Sequence, residues 1–458
     1  MIEVTLSQIV LITCGKLVGK DKIISSISTD SRTVGKGGLF VALKGERLDG
    51  HDFLSSVAKS GASAALVSRY SKCAEASRLL SLIFVEDTKK AMGRTAAWIH
   101  NQCKMLTAAI TGSCGKTTVK EMVASILLHR GQVLHTWGNY NNDVGVPLTL
   151  LRSAPNHDFA VIELGASRIG EIKYTTSLVK PDIALVNNVD FSHLESFGSI
   201  EGVKKAKGEI YQGLESGAVA GVNLDSNGGH WWHSILADKR VKTFSTSSNT
   251  ADVYAENIGL DANAKARFLL VDEYGKLPVT LNIPGRHNVA NALAAALITR
   301  EMGAKGNDIQ RGLLQFSGVG GRVEMRQLMS GVRLIDDSYN ASVPAMKSAI
   351  ELLAHFTGIR WLVLGNMAEL GQVSLSLHRQ VGEYATLFNF EHILTFGEHT
   401  RVVSQVCEGC HFSVYQDLVT YVHKRLSQEK SQQHTILVKG SRSSGISKVA
   451  TALKESSL

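Results

Sequence analysis

The chain has 458 residues, of which 44% are hydrophobic and 20% charged, with a net charge of +8. That length exceeds what a single core supports and predicts two or three domains. The basic residues are dispersed, without the stripe of a nucleic-acid footprint, so the positive excess fits anionic small molecules. No apolar run approaches the ~20 residues needed to cross a bilayer. The opening stretch, MIEVTLSQIVLITCGK, has neither a basic n-region nor a small-residue cleavage site, which predicts no signal peptide. Six cysteines scattered over the length predict a reducing, cytoplasmic setting.

In chain order, residues 1–84 mix short strands with one helix. Strands are expected at 23–28, 38–43, 64–67 and 82–85, and a helix at 51–59. Between them lie two polar loops, Ser28-Thr29-Asp30-Ser31-Arg32 and Lys44-Gly45-Glu46-Arg47-Leu48-Asp49-Gly50-His51.

The next stretch carries the chemistry. An apolar run at 106–110 reads as a buried strand, and Gly112-Ser113-Cys114-Gly115-Lys116-Thr117-Thr118 follows. Val119, Met122, Val123, Ile126 and Leu127 then fall on one face of a helix, with Gly131 as the expected stop. Strand, glycine loop and helix together are the context of a phosphate-binding loop. Backbone N–H groups close round phosphate oxygens, and the helix N-terminus adds partial positive charge. Lys116 reaches the β/γ-phosphates and the Thr117 hydroxyl holds Mg²⁺. One departure stands out: the usual spacing asks for glycine at position 110, and Ile110 is there.

A short strand at 159–162 ends at Glu163, where a carboxylate is well placed to hold Mg²⁺. Another, at 183–186, runs into Asn187-Asn188-Val189-Asp190-Phe191-Ser192-His193, on the side where open α/β sheets bind ligands. The following helix, 201–211, crowds Lys204, Lys205 and Lys207, a cluster that normally marks a solvated face. Residues 283–288 open a small-residue helix suited to close packing. Gly318-Val319-Gly320-Gly321-Arg322 marks a hinge. Beyond it, strands at 332–335, 361–364, 392–396 and 435–438 alternate with helices, including 344–356 and 377–387, as a second doubly wound α/β unit. Cys407-Glu408-Gly409-Cys410 with His411 has no second pair nearby and reads as two ordinary thiols on a helix end and loop.

Taken in order, DSR (30–32), GERLDGH (45–51), TGSCGKTT (111–118), NYNNDVGVP (139–147), ELGASRIGEI (163–172), SHLESFGS (192–199), KAKGEIY (205–211), PGRHNVANA (284–292), GRVE (321–324), DDSYNAS (336–342), LGNMAELG (364–371) and KGSR (439–442) resemble the Mur ligases of bacterial cell-wall synthesis. The resemblance covers nearly the whole chain and is nearest to the branch that adds D-Ala-D-Ala to UDP-N-acetylmuramoyl-tripeptide. It implies an α/β chain of three domains: a small mixed N-terminal domain for the UDP-substrate (1–84), a central P-loop ATPase with a mostly parallel sheet (85–315), and a Rossmann-like C-terminal domain for the incoming amine (316–458). It also accounts for the short loop, since the family shares the GxxGKT spacing.

By position, the resemblance implies that Gly112, Ser113, Gly115, Lys116, Thr117 and Thr118 hold ATP phosphates, with Asn288 at adenine, Arg322 at a nucleotide phosphate and Asp337 at ribose. Thr117 and Glu163 would bind the first Mg²⁺. Glu163, His193 and Lys207 would bind the second, with Lys207 as the family's carbamylated lysine. Ser31, Arg47, Asn139 and Asn142 would face the UDP-muramoyl substrate, and Asn340 the dipeptide. Two residues depart from the family pattern near the amine site: Ser342 stands where asparagine ends DDSYNAN, and Asn366 where aspartate completes LGDM. The expectation is a cytoplasmic monomer acting on small molecules, without nucleic acid or membrane insertion.

Competing readings are a ligase adding the third residue, a folylpolyglutamate synthase-like enzyme and a P-loop regulatory ATPase. The DNPR signature of diaminopimelate addition is missing, the DSR and GERLDGH loops argue against the folate enzyme, and no partner surface supports the regulator.

Overall fold

The computed structural model describes all residues except 69–72, 74–75, 192–193, 227–228, 430 and 456–458. The chain divides into two compact units, one of Met1–Ala109, Gly131–Ala166 and Gly170–Asp182, the other of Ile110–Arg130, Ser167–Ile169 and Ile183–Leu458.

The first unit holds a five-stranded sheet in the order Lys16–Val18, Ser81–Phe84, Ala64–Val67, Leu39–Val41, Ile27–Ser28. The first pair is antiparallel and the rest are parallel. Its three middle strands are buried along their whole length, as expected of parallel strands covered on both faces. Phe40, Leu54, Val57 and Leu82 anchor the core on one side. The helix Thr88–Gln102 follows, with the Asp87 carboxylate accepting from the N–H groups of Lys89 and Lys90. Further on, Phe159–Glu163 pairs in parallel with Val133–His135.

Gly131 is not the helix stop expected from the sequence. The phosphate-loop helix, Lys116–Leu127, ends four residues before it, and Gly131 does not adopt a positive φ. Glycine is needed there because a Cβ would collide with the Asp158 carboxylate, which accepts from the Gln132 N–H.

In the second unit, Ile183–Val186, Val219–Asn223, Arg240–Ser245 and Val253–Leu260 pair successively in parallel. Two long antiparallel strands, Lys265–Asp272 and Gly275–Pro284, complete this arm. The helix Asn288–Glu301 is buried on nearly every face and packs against the phosphate-loop helix, which explains its run of alanines.

The C-terminal sheet has the order Glu324–Met329, Val332–Asp337, His434–Lys439, Ile359–Gly365, His392–Phe396, Cys410–Phe412. Only the first pair is antiparallel. Apolar clusters cover it on both faces, one around Ile350, Leu353 and Leu362, the other around Trp361, Val422 and Val449. This is the doubly wound unit read from the sequence. Among the described residues, no helix is long and apolar enough to cross a membrane.

Candidate active site

The strand Leu106–Thr111 ends in the phosphate loop, and the Lys116 helix starts after Gly115, whose φ of +76° favours glycine. The loop is gripped from the end of the neighbouring sequence motif, Asn187 to Asp190. Asn188 accepts from the Cys114 N–H at 2.7 Å through its side-chain oxygen and returns a bond from its amide nitrogen to the Cys114 carbonyl at 3.1 Å. The Ser113 hydroxyl donates to the Asp190 carbonyl and accepts from the Asp190 N–H at 2.9 Å. Lys116 Nζ folds back onto the Gly112 carbonyl at 2.7 Å. Its ammonium therefore lies over the loop, where a bound triphosphate would present its negative charge. Thr117 is buried beneath it.

These residues line a cavity of about 750 Å³. Asn288, Arg322, Asp337 and Asn340 line the same cavity, so the expected adenine, phosphate, ribose and dipeptide contacts come together with the loop. Asn288 is buried; its amide donates to the Pro284 carbonyl and accepts from Asn291. One N–H and one lone pair of the amide are not used by these two bonds. Arg322 stacks over the Tyr339 ring at 4.2 Å, and its Nε finds no acceptor among the described residues. Asp337 is not free for ribose in full: one carboxylate oxygen pairs with buried Lys439 Nζ at 2.6 Å and the other accepts from the Val323 N–H. His287, also lining the cavity, is held below the usual imidazole range by burial and is neutral at pH 7.

The two departures from the family pattern fare differently. Ser342 lines the cavity, and its hydroxyl meets the Cys114 thiol at 3.3 Å. Asn366 is not among the cavity-lining residues; its side-chain oxygen accepts from the Thr400 N–H, a task within the C-terminal unit that aspartate would also perform. Lys207 does not follow the solvated pattern of its neighbours. It is 1% exposed, with Nζ 5.6 Å from the Phe197 ring centre, whereas Lys205 on the same helix, Ile200–Gln212, is exposed. His193 lies outside the described residues.

In the first unit, Glu163 is 1% exposed. One of its oxygens accepts from the Asn141 amide at 2.8 Å, while Oε2 has no partner among the described residues. A buried carboxylate oxygen without a donor is a costly arrangement that a hard cation would relieve. Asn139 and Asn142 are exposed, and the Asn142 side-chain oxygen accepts from the Gly145 N–H at the start of the helix Gly145–Leu150. Ser31 is half-buried in its turn and Arg47 is exposed on its loop. That loop ends on an Asp49–His51 pair at 2.7 Å, in which His51 is buried and Asp49 half-buried. The order Asp49, His51, Ser68 resembles a hydrolytic relay, but His51 Nε2 accepts from the Ser68 backbone N–H, so the imidazole is occupied as a loop anchor.

Of the CxxC pair, Cys407 closes the helix Arg401–Val406 as expected, whereas Cys410 opens a strand where a loop was expected. Cys407 donates to the Gly382 carbonyl and burial pushes its thiol up to about 11, while Cys410 is exposed on a short strand. No group of three or more metal-ligating His, Cys, Asp or Glu side chains occurs among the described residues. Sequence reading gave no role to Asn187, Asn291 or Lys439, although the first and last lay inside quoted motifs at strand ends.

A glycine loop at a helix N-terminus, facing a cavity that a buried asparagine amide also lines, fits a nucleotide-binding α/β protein. Family models match three successive segments: the Mur ligase family, catalytic domain, at 23–100; the Mur ligase middle domain at 110–299; and the Mur ligase, glutamate ligase domain, at 321–442. The UDP-N-acetylmuramoyl-tripeptide--D-alanyl-D-alanine ligase of Escherichia coli (strain K12) is 44% identical over 456 residues, covering 99% of each chain. Among solved structures, MurF from Acinetobacter baumannii is 32% identical and superposes with a TM-score of 0.93 over 99% of each chain. MurF ligase from Thermotoga maritima in complex with ADP is 25% identical, with a TM-score of 0.82 over 94% of this chain and 97% of that one. The chain belongs to the Mur ligase family and has its three-domain fold.

Proposed function

We propose that the chain is an ATP-dependent, ADP-forming amide ligase that joins D-Ala-D-Ala to UDP-N-acetylmuramoyl-tripeptide, giving the UDP-muramoyl-pentapeptide of peptidoglycan synthesis. The observation that carries this reading is the single cavity lined by the phosphate loop, Asn288, Arg322, Asp337 and Asn340. The full-length match to relatives bearing that activity in their names supports the choice of substrates.

A carboxylate does not acylate an amine at neutral pH, so the substrate carboxyl is first phosphorylated by ATP. The substrate oxygen attacks the γ-phosphorus, ADP leaves, and an acyl phosphate remains. The free amine of D-Ala-D-Ala then attacks the acyl carbon, phosphate departs, and the amide forms. Attack brings two anions together. In this reading Lys116 leaves the Gly112 carbonyl for the β/γ-phosphates and offsets that repulsion, while loop N–H groups and the helix N-terminus hold the rest of the triphosphate. Asn288 selects adenine, Arg322 meets a phosphate, and Asp337, fixed by Lys439, keeps capacity for a ribose hydroxyl. Asn340 is assigned to the dipeptide, and Ser31, Arg47, Asn139 and Asn142 to the UDP-muramoyl substrate.

Thr117, Glu163, His193 and Lys207 are the residues assigned to two Mg²⁺ ions, which when bound supply charge neutralisation at the phosphates. The unpartnered Glu163 Oε2 fits that assignment. Lys207 fits it only as a carbamate, because an ammonium would repel the metal whereas a carbamate offers hard anionic oxygens. Its deep burial agrees with a modified side chain. We further place the protein in the cytoplasm as a monomer, in keeping with six free cysteines. Domain limits of 1–84, 85–315 and 316–458 complete the reading; the second limit falls between the matched segments 110–299 and 321–442.

Phosphate release by the purified protein tests the proposal. Release should require ATP, UDP-muramoyl-tripeptide and D-Ala-D-Ala together. Release driven by nucleic acid, or by ATP alone at the same rate, would overturn it.

A further inference from the structure

Among the described residues, four carboxylates line the nucleotide cavity: Asp190, Asp225, Asp337 and Glu369. Three of them are accounted for. Asp225 takes the hydroxyls of Ser245, Ser247 and Thr246 together with the Thr246 N–H. Asp337 is paired with Lys439, and Glu369 is exposed to water. Asp190 differs from all three. It is half-buried, and among the described residues its carboxylate takes one hydrogen bond, from the Phe191 N–H to Oδ1 at 2.7 Å. Its second oxygen has no donor among those residues.

The place of this carboxylate is fixed against the phosphate loop. The Ser113 hydroxyl accepts from the Asp190 N–H at 2.9 Å and donates to the Asp190 carbonyl at 3.1 Å, so the residue cannot shift without the loop. The next loop residue, Cys114, meets the Ser342 hydroxyl at 3.3 Å, at the end of the turn that carries Asn340. Asp190 and the turn 340–342 therefore hold two adjacent residues of the loop and line one cavity. Burial raises the Asp190 carboxyl above its usual range, against the pull of the Phe191 N–H and of Lys347 on the helix Val343–Ala354. A cation beside the second oxygen would offset what burial costs its charge.

A carboxylate next to a loop built for phosphate repels the nucleotide unless a positive group stands between them. The incoming dipeptide brings one, its terminal ammonium, and that nitrogen must end beside the acyl phosphate formed at the loop. We propose that Asp190 binds the ammonium of D-Ala-D-Ala and holds it at the phosphate loop, opposite the turn that carries Asn340. This rests on the ligase reading. The contact is a charge-assisted hydrogen bond to the bound dipeptide, so its loss reads first in the affinity for that substrate.

The test exchanges the carboxylate for its amide, Asp190→Asn, which keeps an oxygen for the Phe191 N–H. The KM for D-Ala-D-Ala should rise about tenfold or more, while the KM values for ATP and UDP-muramoyl-tripeptide move by about twofold or less. The second probe is D-lactoyl-D-alanine, which carries a hydroxyl in place of the ammonium, used as an inhibitor against D-Ala-D-Ala. Its inhibition constant should be the same for wild type and Asp190→Asn, since it brings no charge to the carboxylate. A shift in the KM for ATP or in the Mg²⁺ requirement, with the dipeptide KM unchanged, would put Asp190 to another use and overturn the proposal. So would a wild type that binds D-lactoyl-D-alanine as tightly as D-Ala-D-Ala, a measurement that needs no variant to fold. If the wild type ligates nothing, the ligase reading fails instead, and the two failures are distinct.

Discussion

The thiol of Cys114, in the phosphate loop, lies 3.3 Å from the hydroxyl of Ser342, at the turn that opens the helix Val343–Ala354. These are the loop's unusual cysteine and the serine that replaces the family's asparagine, and they touch across the nucleotide cavity. Ser342 occupies the N-cap position of its helix yet makes no side-chain capping bond. Alkylating Cys114 would put bulk between loop and turn. Iodoacetamide should therefore inactivate the enzyme, Mg-ATP should protect it, and Cys114→Ser should be resistant. Undiminished sensitivity of Cys114→Ser would move the effect to another thiol.

Lys116→Ala should lower kcat/KM by about 10³-fold or more, because it removes the cation aimed at the transferred phosphoryl. Its ammonium bonds to the loop carbonyls of Gly112 and Ser113 at the surface of the cavity, so unfolding free energy should change by about 1 kcal/mol or less. Steady-state phosphate release and chemical denaturation check the two halves. Near-normal ligation would refute the central assignment.

For Lys207 the expected outcome is a loss of about 10²-fold or more on substitution by Ala, with partial recovery in acetate or formate. Lys205→Ala, on the exposed side of the same helix, should do little. Stripping bicarbonate from the assay should lower wild-type activity reversibly if the carbamate exchanges. A high-resolution map of the ligand-bound protein with a bare ammonium at Lys207 and both metals in place would end the idea.

His100 gives a pH prediction for stability. It is 4% exposed, bridges Ser153 and Thr107, and is held down to about 4 by burial, against an ordinary value of 6.5. The unfolded chain therefore takes up this proton first. Its effect is absent above about pH 6.5, and stability falls as pH drops from there towards 4, by at most about 3 kcal/mol. His100→Gln should flatten that part of the pH–stability curve, measured by urea denaturation at pH 7 and pH 5.

What the sequence made legible followed from strong local signals. The strands Ala64–Val67, Ile183–Val186 and His392–Phe396 fall where apolar runs are bounded by turns, so their limits were readable to the residue. The arm from Arg240 to Pro284 was not read, because polar side chains interrupt its apolar runs and two of its strands, Arg240–Ser245 and Val253–Leu260, show no regular alternation of buried and exposed residues. Burial of Lys207 could not be seen from composition, since two other lysines on its helix are more exposed and only helix phase separates them. The hydrogen bond between the Asn187 and Asn291 side chains was invisible for a related reason: the two are 104 positions apart and become partners only after the fold is built.

The order of the C-terminal sheet has a consequence for how the protein is made. Val332–Asp337 lies beside His434–Lys439, which in turn separates it from Ile359–Gly365. The sheet cannot close until its last strand has left the ribosome, and the Asp337–Lys439 pair cannot form before then. Lys454, on the final helix Ser447–Glu455, then ties Asp336 and Glu324 together near the start of the same domain. A nascent chain arrested before residue 434 would carry the phosphate loop but lack Lys439, Ser441, Arg442 and Ser443 of the nucleotide cavity, and the sheet that presents Asp337 to it would still be open.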